Sequence, residues 1–262
     1  MAILGYISSI LIGISLGLIG GGGSILTVPV LVYIFHLSPA VSTSYSLFIV
    51  GVTSGVGLIE HYKRKQIHYP TALTLGATSI LTVLLTRLYI LPAIPDSLFE
   101  ISDFTITKSM ATMVLFAGLM LPAAWSMIKP SKPTVVSGTY NQSYVHLTLY
   151  GIVIGLVTGF MGAGGGFLLI PALVLLAKLP IKKAIGTSLL LIAANSLIGF
   201  IGDLDHLAID WSFLIQITLL AVGGILFGAR MGKNINGEKL KKGFGWFILL
   251  MSIYILILEI FK

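Results

Sequence analysis

The sequence predicts an all-α integral membrane protein in which two five-segment repeats insert in opposite orientations. Of the 262 residues, 56% are hydrophobic and only 10% are charged, and the mean hydropathy is +1.02. This composition leaves too little polar surface to cover a soluble particle of that size. Apolar stretches recur along the whole chain, and a glycine-rich motif that interrupts one of them occurs twice.

Ten apolar segments can be drawn, and we expect each to be helical. They cover residues 2–19, 25–36, 40–60, 71–91, 108–128, 145–161, 167–178, 183–202, 211–230 and 243–261. Most have the roughly 20 residues that a helix needs to cross a bilayer. The second and seventh have only 12 residues, or about 18 Å of helix against a hydrocarbon core about 30 Å thick. Each of these two is therefore predicted to be a half-helix or one arm of a re-entrant hairpin.

The glycine-rich motif precedes both short segments. Residues 20–24 read Gly-Gly-Gly-Gly-Ser and lead to Pro29, whereas residues 162–166 read Gly-Ala-Gly-Gly-Gly and lead to Pro171. Such a run exposes backbone, which a bilayer tolerates only where the backbone faces protein or a polar cavity. The motif is therefore predicted to lie at the functional centre of the molecule.

Similarity between the two halves extends beyond the glycine runs. Matching stretches are 13–17 with 155–159, 40–44 with 184–188, 67–69 with 209–211, and Arg87 with Arg230. The first repeat is thus predicted to span residues 1–128 and the second residues 145–262, within one membrane domain. Residues 129–144, which contain prolines and several hydroxyl side chains, are predicted to link them.

Loop charges predict the orientation of the repeats. Basic loops follow the third, fifth, seventh and ninth segments, and acidic loops follow the fourth and eighth. Because basic loops stay in the cytoplasm, the loop after segment 3 is predicted inside, whereas its repeat mate after segment 8 is predicted outside. The repeats are then inverted and both termini are external. Merging each short segment with the one before it would give eight crossings and would put charged loops on the wrong sides.

Glycine-broken helices in inverted repeats are typical of the binding site of a secondary transporter. The predicted substrate contacts at the two glycine runs are Gly21, Gly22, Gly23, Ser24, Gly164, Gly165 and Gly166. A half-helix that starts there presents unpaired N–H groups and the positive end of its dipole, which favour an anion. The competing interpretation is close helix packing, which we expect for Gly13 with Gly17 and for Gly155 with Gly159.

Polar side chains in segments 3 and 8 form a second candidate set. Ser44, Thr187, Ser188 and Asn195 are predicted to contact substrate, because a polar side chain in the membrane is costly without a partner. Helix capping and bonding back to a carbonyl are the alternatives for the hydroxyl groups.

Two arginines occupy matched positions in the repeats. Arg87 and Arg230 are candidates for a gate or for anion attraction, although each lies near a segment end, where snorkelling to the headgroups is ordinary. Glu60 lies with His61 at a predicted cytoplasmic helix end, where a solvated end is the main interpretation and a proton relay the alternative.

Several function classes find no support in the sequence. The net charge of +7 comes mostly from short loops, where Lys and Arg orient a membrane protein, so we expect no nucleic-acid partner. There is no cysteine, the histidines show no metal-ligand spacing, and neither glycine run continues into a phosphate-binding loop. No hydrolase motif is present. We therefore expect no metal, no cofactor and no enzymatic activity. The first apolar run lacks a basic n-region, so we expect it in the mature protein.

The motifs as a set resemble those of a known family. They comprise residues 17–23 with Pro29, 40–44, 159–166 with Pro171, 184–188 and 228–230. Together they are similar to the sulfite exporter TauE/SafE family of membrane transporters, over nearly the whole chain. The resemblance implies export of sulfite or a small organosulfonate such as sulfoacetate across the bacterial plasma membrane, coupled to a proton or ion gradient. Ser42 stands where the second copy has Gly186, and this asymmetry leaves the substrate open.

Three functions remain open at this point. The first is a secondary transporter that works by alternating access, and the others are an anion channel and a membrane scaffold protein without substrate. The expected partners are a small anionic substrate, the lipid bilayer and a coupling proton or ion. A homo-oligomer is compatible with the sequence and is not specified by it.

Overall fold

The computed structural model describes residues 2–19, 21–95, 97–101, 104–129, 144–162, 164–175, 177–231 and 237–261. Most of the predicted linking loop, residues 130–143, lies outside the described residues. The same is true of Gly20 and Ala163 in the two glycine runs and of Asp96 and Asp103 in the predicted acidic loop.

The first half of the chain begins with α1 (Ala2–Ile19) and a segment of mixed helix type. That segment consists of a 3-10 helix (Gly21–Leu26), a short α2 (Thr27–Pro29) and a π-helix (Val30–Ile34). Next come α3 (Pro39–Lys63) and α4 (Tyr69–Leu85), which continues through a π-helix (Thr86–Ile90) into α5 (Leu91–Ala93). Strands β1 (Ser97–Ile101) and β2 (Phe104–Thr107) precede α6 (Lys108–Ile128).

The secondary-structure elements described in the second half are all helices. It contains α7 (Tyr144–Met161), α8 (Gly166–Leu175), α9 (Ile181–Ile201), α10 (Trp211–Met231) and α11 (Gly237–Ile260). These bounds agree with the predicted segments to within a few residues, except that α11 begins six residues earlier than predicted. The hydrophobic segments are therefore confirmed as helices.

The departure from an all-α chain is a small antiparallel hairpin. Strands β1 and β2 pair with Glu100 opposite Thr105 and Ile101 opposite Phe104. We predicted only an acidic loop here. The segment is rich in aromatic and β-branched residues, which favour extended backbone, and it is too short to form another helical crossing.

Local signals set where the main helices begin. The Ser38 side chain accepts a hydrogen bond from the Val41 amide at the start of α3, where Pro39 occupies the first turn. Thr107 caps α6 in the same way, by accepting from the Met110 amide. These caps fix the points at which the chain enters its long helices.

Five described helices are long and apolar enough to cross a membrane. They are Pro39–Lys63, Tyr69–Ala93, Lys108–Ile128, Ile181–Ile201 and Trp211–Met231, and a shorter apolar stretch, Gly245–Glu259, lies in α11. Within an apolar stretch of 18 residues, 61% of α3 and 67% of α9 is buried inside the protein, against 28% to 39% for the other three helices. The pair α3 and α9 therefore forms the centre of the molecule.

Glycine pairs bring the outer helices into backbone contact with their neighbours. A Cβ on Gly13 would lie 2.0 Å from the Ala221 carbonyl oxygen of α10, and one on Gly17 would lie 2.4 Å from that of Ile225. In α7, a Cβ on Gly155 would lie 2.7 Å from the Ser79 carbonyl oxygen of α4, and one on Gly159 would lie 2.7 Å from Thr86 Cβ in the π-helix that follows α4. The packing role predicted for both glycine pairs is confirmed.

Two adjacent glycines of α10 provide a matched test of this packing. We expect Gly224→Leu to lower the thermal unfolding temperature, because its Cβ would lie 2.3 Å from the Ile10 carbonyl oxygen and must separate α1 from α10. Overpacking of this kind typically costs about 1–3 kcal/mol. Gly223→Leu has no atom within 4 Å of the added Cβ and should unfold like the unmodified protein. Equal unfolding temperatures for the two variants in detergent would contradict the assignment.

Candidate functional site

The segment after α1 runs back along α1. The ring of Phe35, beyond the π-helix, lies 6.3 Å from the ring of Tyr6 near the start of α1. A Cβ on Gly5 would lie 2.3 Å from Phe35 Cζ. Both ends of this stretch are therefore on one side of the molecule, and the 3-10 helix Gly21–Leu26 forms its tip.

The segment after α7 has the same path. Gly162 ends α7 by donating its N–H to the Thr158 carbonyl oxygen at 2.9 Å, with φ of +67°. Gly164 and Gly165 also have positive φ, +65° and +66°, a region that glycine enters without the strain of a Cβ. Leu147 in α7 and Leu179 after α8 belong to one hydrophobic cluster, so α8 returns along α7. The glycines form the tip of this second hairpin.

The two tips meet in the interior of the protein. The 3-10 helix Gly21–Leu26 packs against α8, and both contact the central helix α9. Ser24, the last predicted residue of the first tip, is fully buried, and Gly164, Gly165 and Gly166 are buried as well. The structure therefore packs the segment that holds the first glycine run against the helix that follows the second.

The second tip lies between α3 and α9. A Cβ on Gly164 would lie 2.7 Å from Ser196 Oγ, 2.8 Å from a Val50 methyl group and 2.9 Å from an Ile192 methyl group. One on Gly165 would lie 2.3 Å from Thr158 Oγ1. Only glycine leaves room for the backbone to come this close to the neighbouring hydroxyl groups.

Buried polar atoms without a hydrogen-bond partner among the described residues surround this region. We call the following atoms the unpaired polar set: Thr27 Oγ1, Ser46 Oγ, Ser54 Oγ, Thr158 Oγ1, Asn195 Nδ2 and Ser196 Oγ. Thr158 and Ser196 touch the second tip directly, and Thr27 follows the first. Ser46 and Ser54 lie four residues on either side of Val50 and so share its face of α3. Leaving a buried polar group unpaired costs about 1–3 kcal/mol, so the set is suited to hold a polar ligand.

The backbone of the second tip favours a negatively charged ligand. The amides of Leu168 and Leu169 both donate to the Gly165 carbonyl oxygen at 3.0 Å. The first-turn amides before them have no acceptor within the helix, and the positive end of the α8 dipole lies beside them. The unpaired polar set contains hydroxyl groups and one amide nitrogen, and it contains no carboxylate. This arrangement can donate hydrogen bonds to the oxygen atoms of an anion.

Asn195 lies beside this region, on the face of α9 that meets α4. Its Oδ1 accepts a hydrogen bond from Ser79 Oγ at 3.0 Å, and its Nδ2 belongs to the unpaired polar set. The side chain is fully buried. Its acceptor is therefore fixed by α4, whereas its donor stays available.

Thr187 and Ser188 lie farther along α9. The Thr187 hydroxyl accepts from the His68 amide at 2.9 Å, and the Ser188 hydroxyl donates to the Ile185 carbonyl oxygen. Thr187 is nine residues before Ser196, which corresponds to about 14 Å of helix. Burial and the charge of Lys183 lower the pKa of His68, whose Nδ1 accepts from the Thr71 amide to cap α4. Both hydroxyl groups are thus placed at the opposite end of α9 from Ser196 and Asn195.

The two matched arginines have different environments. Arg87 is 1% exposed, and its Nη1 donates to Asp203 Oδ2 at 2.7 Å. Ser44 Oγ, in α3, is buried without a hydrogen-bond partner among the described residues. Arg230 is exposed at the end of α10, as snorkelling to the headgroups requires. Glu60 forms an exposed ion pair with Arg64, in agreement with a solvated helix end.

Sequence reasoning missed Thr158 and Asp203. Thr158 gave no signal, because a hydroxyl group in an apolar helix ordinarily bonds back to a carbonyl, and only the fold places it against Gly165. For Asp203 a signal was present. An arginine within a membrane segment needs a partner, and Asp203 is an acidic residue on the predicted side of Arg87.

Comparisons with known proteins agree with a transporter. Residues 6–255 match the family model described as Sulfite exporter TauE/SafE. A probable membrane transporter protein of Xylella fastidiosa is 25% identical, over 94% of this chain and 91% of its own length. Similar proteins with the same description occur in Methanocaldococcus jannaschii, with 27% identity over 90% of this chain and 85% of the relative, and in Bacillus subtilis, with 26% over 84% and 82%. No solved structure matches the chain.

Proposed function

The chain belongs to the sulfite exporter TauE/SafE family, and we propose that it is a secondary transporter that exports a small sulfur oxyanion. The substrate class is sulfite or an organosulfonate such as sulfoacetate. The observation that carries this proposal is the meeting of two glycine tips inside the protein, next to buried donors that have no described partner. Such a site would bind an anion with several oxygen atoms.

The proposed binding site combines both tips with side chains from the central helices. The backbone of Gly21, Gly22, Gly23, Gly164, Gly165 and Gly166 would supply N–H groups, with Ser24, Asn195, Thr158 and Ser196 around them. Each of these four side chains is fully buried, so a bound anion would be shielded from water and held by strong hydrogen bonds. Thr187 and Ser188 would line the cytoplasmic approach to the site, and Ser44 the external one.

Inverted repeats are part of the proposal, and the packing supports them. Helix α1 packs against α10, and the corresponding α7 packs against α4. Likewise α3 contacts α10 where the corresponding α9 contacts α4. Each half contains one hairpin, which returns to the side of the membrane where it started, and three longer helices. Each longer helix would cross the membrane once, so the number of crossings in each half is odd. The second half would then start on the opposite side of the membrane from the first.

Alternating access is the mechanism that this symmetry suggests. Helices α1 and α4 each pack against a helix of the other half, so one half could rock against the other around the tips. We propose that the protein lies in the bacterial plasma membrane with both termini external, as the loop charges indicate. Coupling to a proton or ion gradient would drive export.

Calorimetric titration of the purified protein tests the proposal. We expect sulfite or sulfoacetate to give a saturable binding signal, because the tips offer donors and the positive end of α8, and we expect an organic cation such as choline to give none. In proteoliposomes, sulfite flux should change when a proton or sodium gradient is imposed, whereas an anion channel would carry flux that is insensitive to the gradient apart from the voltage. Binding of choline without binding of either sulfur anion would rule out the proposed substrate class.

A further inference from the structure

One of the three guanidinium nitrogen atoms of Arg87 has hydrogen-bond partners among the described residues. Its Nη1 donates to Asp203 Oδ2 at 2.7 Å and to Thr43 Oγ1 at 3.4 Å. Its Nε and Nη2 are buried and have no hydrogen-bond partner among the described residues. Asp203 therefore binds one nitrogen through one oxygen, although a carboxylate can engage two nitrogen atoms of arginine at once.

The two unpartnered nitrogen atoms form one edge of the guanidinium plane. Nε–H and the neighbouring Nη2–H point in parallel, and this edge matches the spacing of two oxygen atoms on a carboxylate, phosphate or similar oxyanion. Arg87 is 1% exposed, so the edge is shielded from bulk water. Leaving the buried donors of a charged group unpaired costs free energy, and Nε and Nη2 of Arg87 are left without a partner among the described residues.

Arg87 is next to the second hairpin. Thr43, whose hydroxyl group accepts from Arg87, has its carbonyl oxygen 2.2 Å from where a Cβ on Gly162 would lie. Thr86, which precedes Arg87, packs its side chain against Gly159 of α7. One residue thus separates the guanidinium group from the tip. Because Thr43 lies near the start of α3 and Asp203 follows the end of α9, Arg87 is on the side that the loop charges place outside.

We propose that the Nε–Nη2 edge of Arg87 is a second oxyanion-binding site, which takes the transported anion as it passes from the tips to the external side. This inference rests on the proposed function. The ligand class is a small anion with at least two oxygen atoms on one centre, such as sulfite or a sulfonate group. Asp203 holds the opposite side of the guanidinium group and leaves this edge open.

Replacing Arg87 by lysine separates the proposed role from a purely structural ion pair. A lysine keeps the positive charge and can still pair with Asp203, but it lacks a planar edge with two parallel donors. We expect Arg87→Lys to raise the calorimetric Kd for sulfite about tenfold, while the unfolding temperature in detergent changes little. Arg230→Lys makes the same change at the exposed matched position and should leave the Kd unaltered. An Arg87→Lys protein that binds sulfite with the Kd of the unmodified protein would overturn the inference.

A double substitution that removes both charges serves as the second test if Arg87→Lys does not fold. Arg87→Gln combined with Asp203→Asn removes both charges together and so avoids an unpaired buried carboxylate. This folded double variant is expected to bind sulfite at least tenfold more weakly, and an unchanged Kd would again refute the site. Failure of the unmodified protein to bind sulfite or sulfoacetate would instead refute the proposed function itself. If the unmodified protein binds sulfite and the Arg87 variants bind it with the same Kd, only the Arg87 site is refuted.

Discussion

Replacing Gly165 by leucine is expected to abolish sulfite transport while the protein still inserts into the membrane. Gly165 has a φ of +66°, in a region where an L-residue is strained by roughly 1–2 kcal/mol. Its Cβ would lie 2.3 Å from Thr158 Oγ1, so the added side chain must displace a hydroxyl of the unpaired polar set. The added side chain would also press against Ile154 of α7, whose methyl group lies 3.2 Å from the Cβ position.

Flux of sulfite into proteoliposomes measures this effect, with the amount of inserted protein determined on the same vesicles. Gly118→Leu is the matched control, because Gly118 is exposed in α6 and a Cβ there has no atom within 4 Å. It should transport at the normal rate. A membrane scaffold without substrate would instead give no sulfite flux in the unmodified protein. Undiminished flux in Gly165→Leu would show that the tip is not the site.

Replacing Asn195 by leucine is expected to weaken anion binding about tenfold or more with little loss of stability. The change removes the buried Nδ2 donor, and a hydrogen bond to a charged ligand is typically worth about 1.5–3 kcal/mol, where 1.4 kcal/mol corresponds to a factor of ten. Ser79 keeps a partner after the change, because its hydroxyl also lies 3.2 Å from the Gly76 carbonyl oxygen. Leucine has the same branching at Cγ as asparagine but bulkier end groups, so the unfolding temperature in detergent is measured on the same sample.

The charge of the ligand can be tested at the same position. Asn195→Asp keeps the shape but places a carboxylate beside the site, so it should weaken sulfite binding at neutral pH more than Asn195→Leu does. Tighter binding of any ligand by Asn195→Asp would indicate a cationic substrate. Gln216→Leu is the control amide substitution, because the Gln216 side chain is exposed on α10 and bonds to Ser212. Calorimetry on the three variants gives the comparison directly.

Helical segments were predictable because their signal is local. Apolar stretches of about 20 residues identified the long helices, and the described bounds follow them closely, with Lys108–Ile128 matching completely. Strands β1 and β2 were not predicted, since a short hairpin beside membrane helices has no length signal of its own. The packing role of Gly13 and Gly155 was predictable because small residues at helical spacing allow close approach.

The candidate site was predictable only in part. Repetition of the glycine motif predicted two breaks that meet, and in the structure the 3-10 helix Gly21–Leu26 packs against α8, with both in contact with α9. The hydroxyl partners were not predictable, because whether a side chain such as Thr158 bonds back to its own helix or faces a neighbouring tip depends on helix rotation. Matched sequence positions also failed to imply matched environments, since Arg87 is buried and Arg230 is exposed.

By itself, the sequence determined that this protein is a multi-pass helical membrane protein with a duplicated glycine break, and its motifs identified the family. Hydropathy, loop charge and repetition are properties of the chain read in order, so these features required no knowledge of packing. Only the tertiary structure decided that the breaks meet between α3 and α9, that Asn195 leaves a donor free, and that Asp203 holds one side of Arg87. Each of these contacts joins residues more than 100 positions apart, and such contacts depend on how the helices pack against one another.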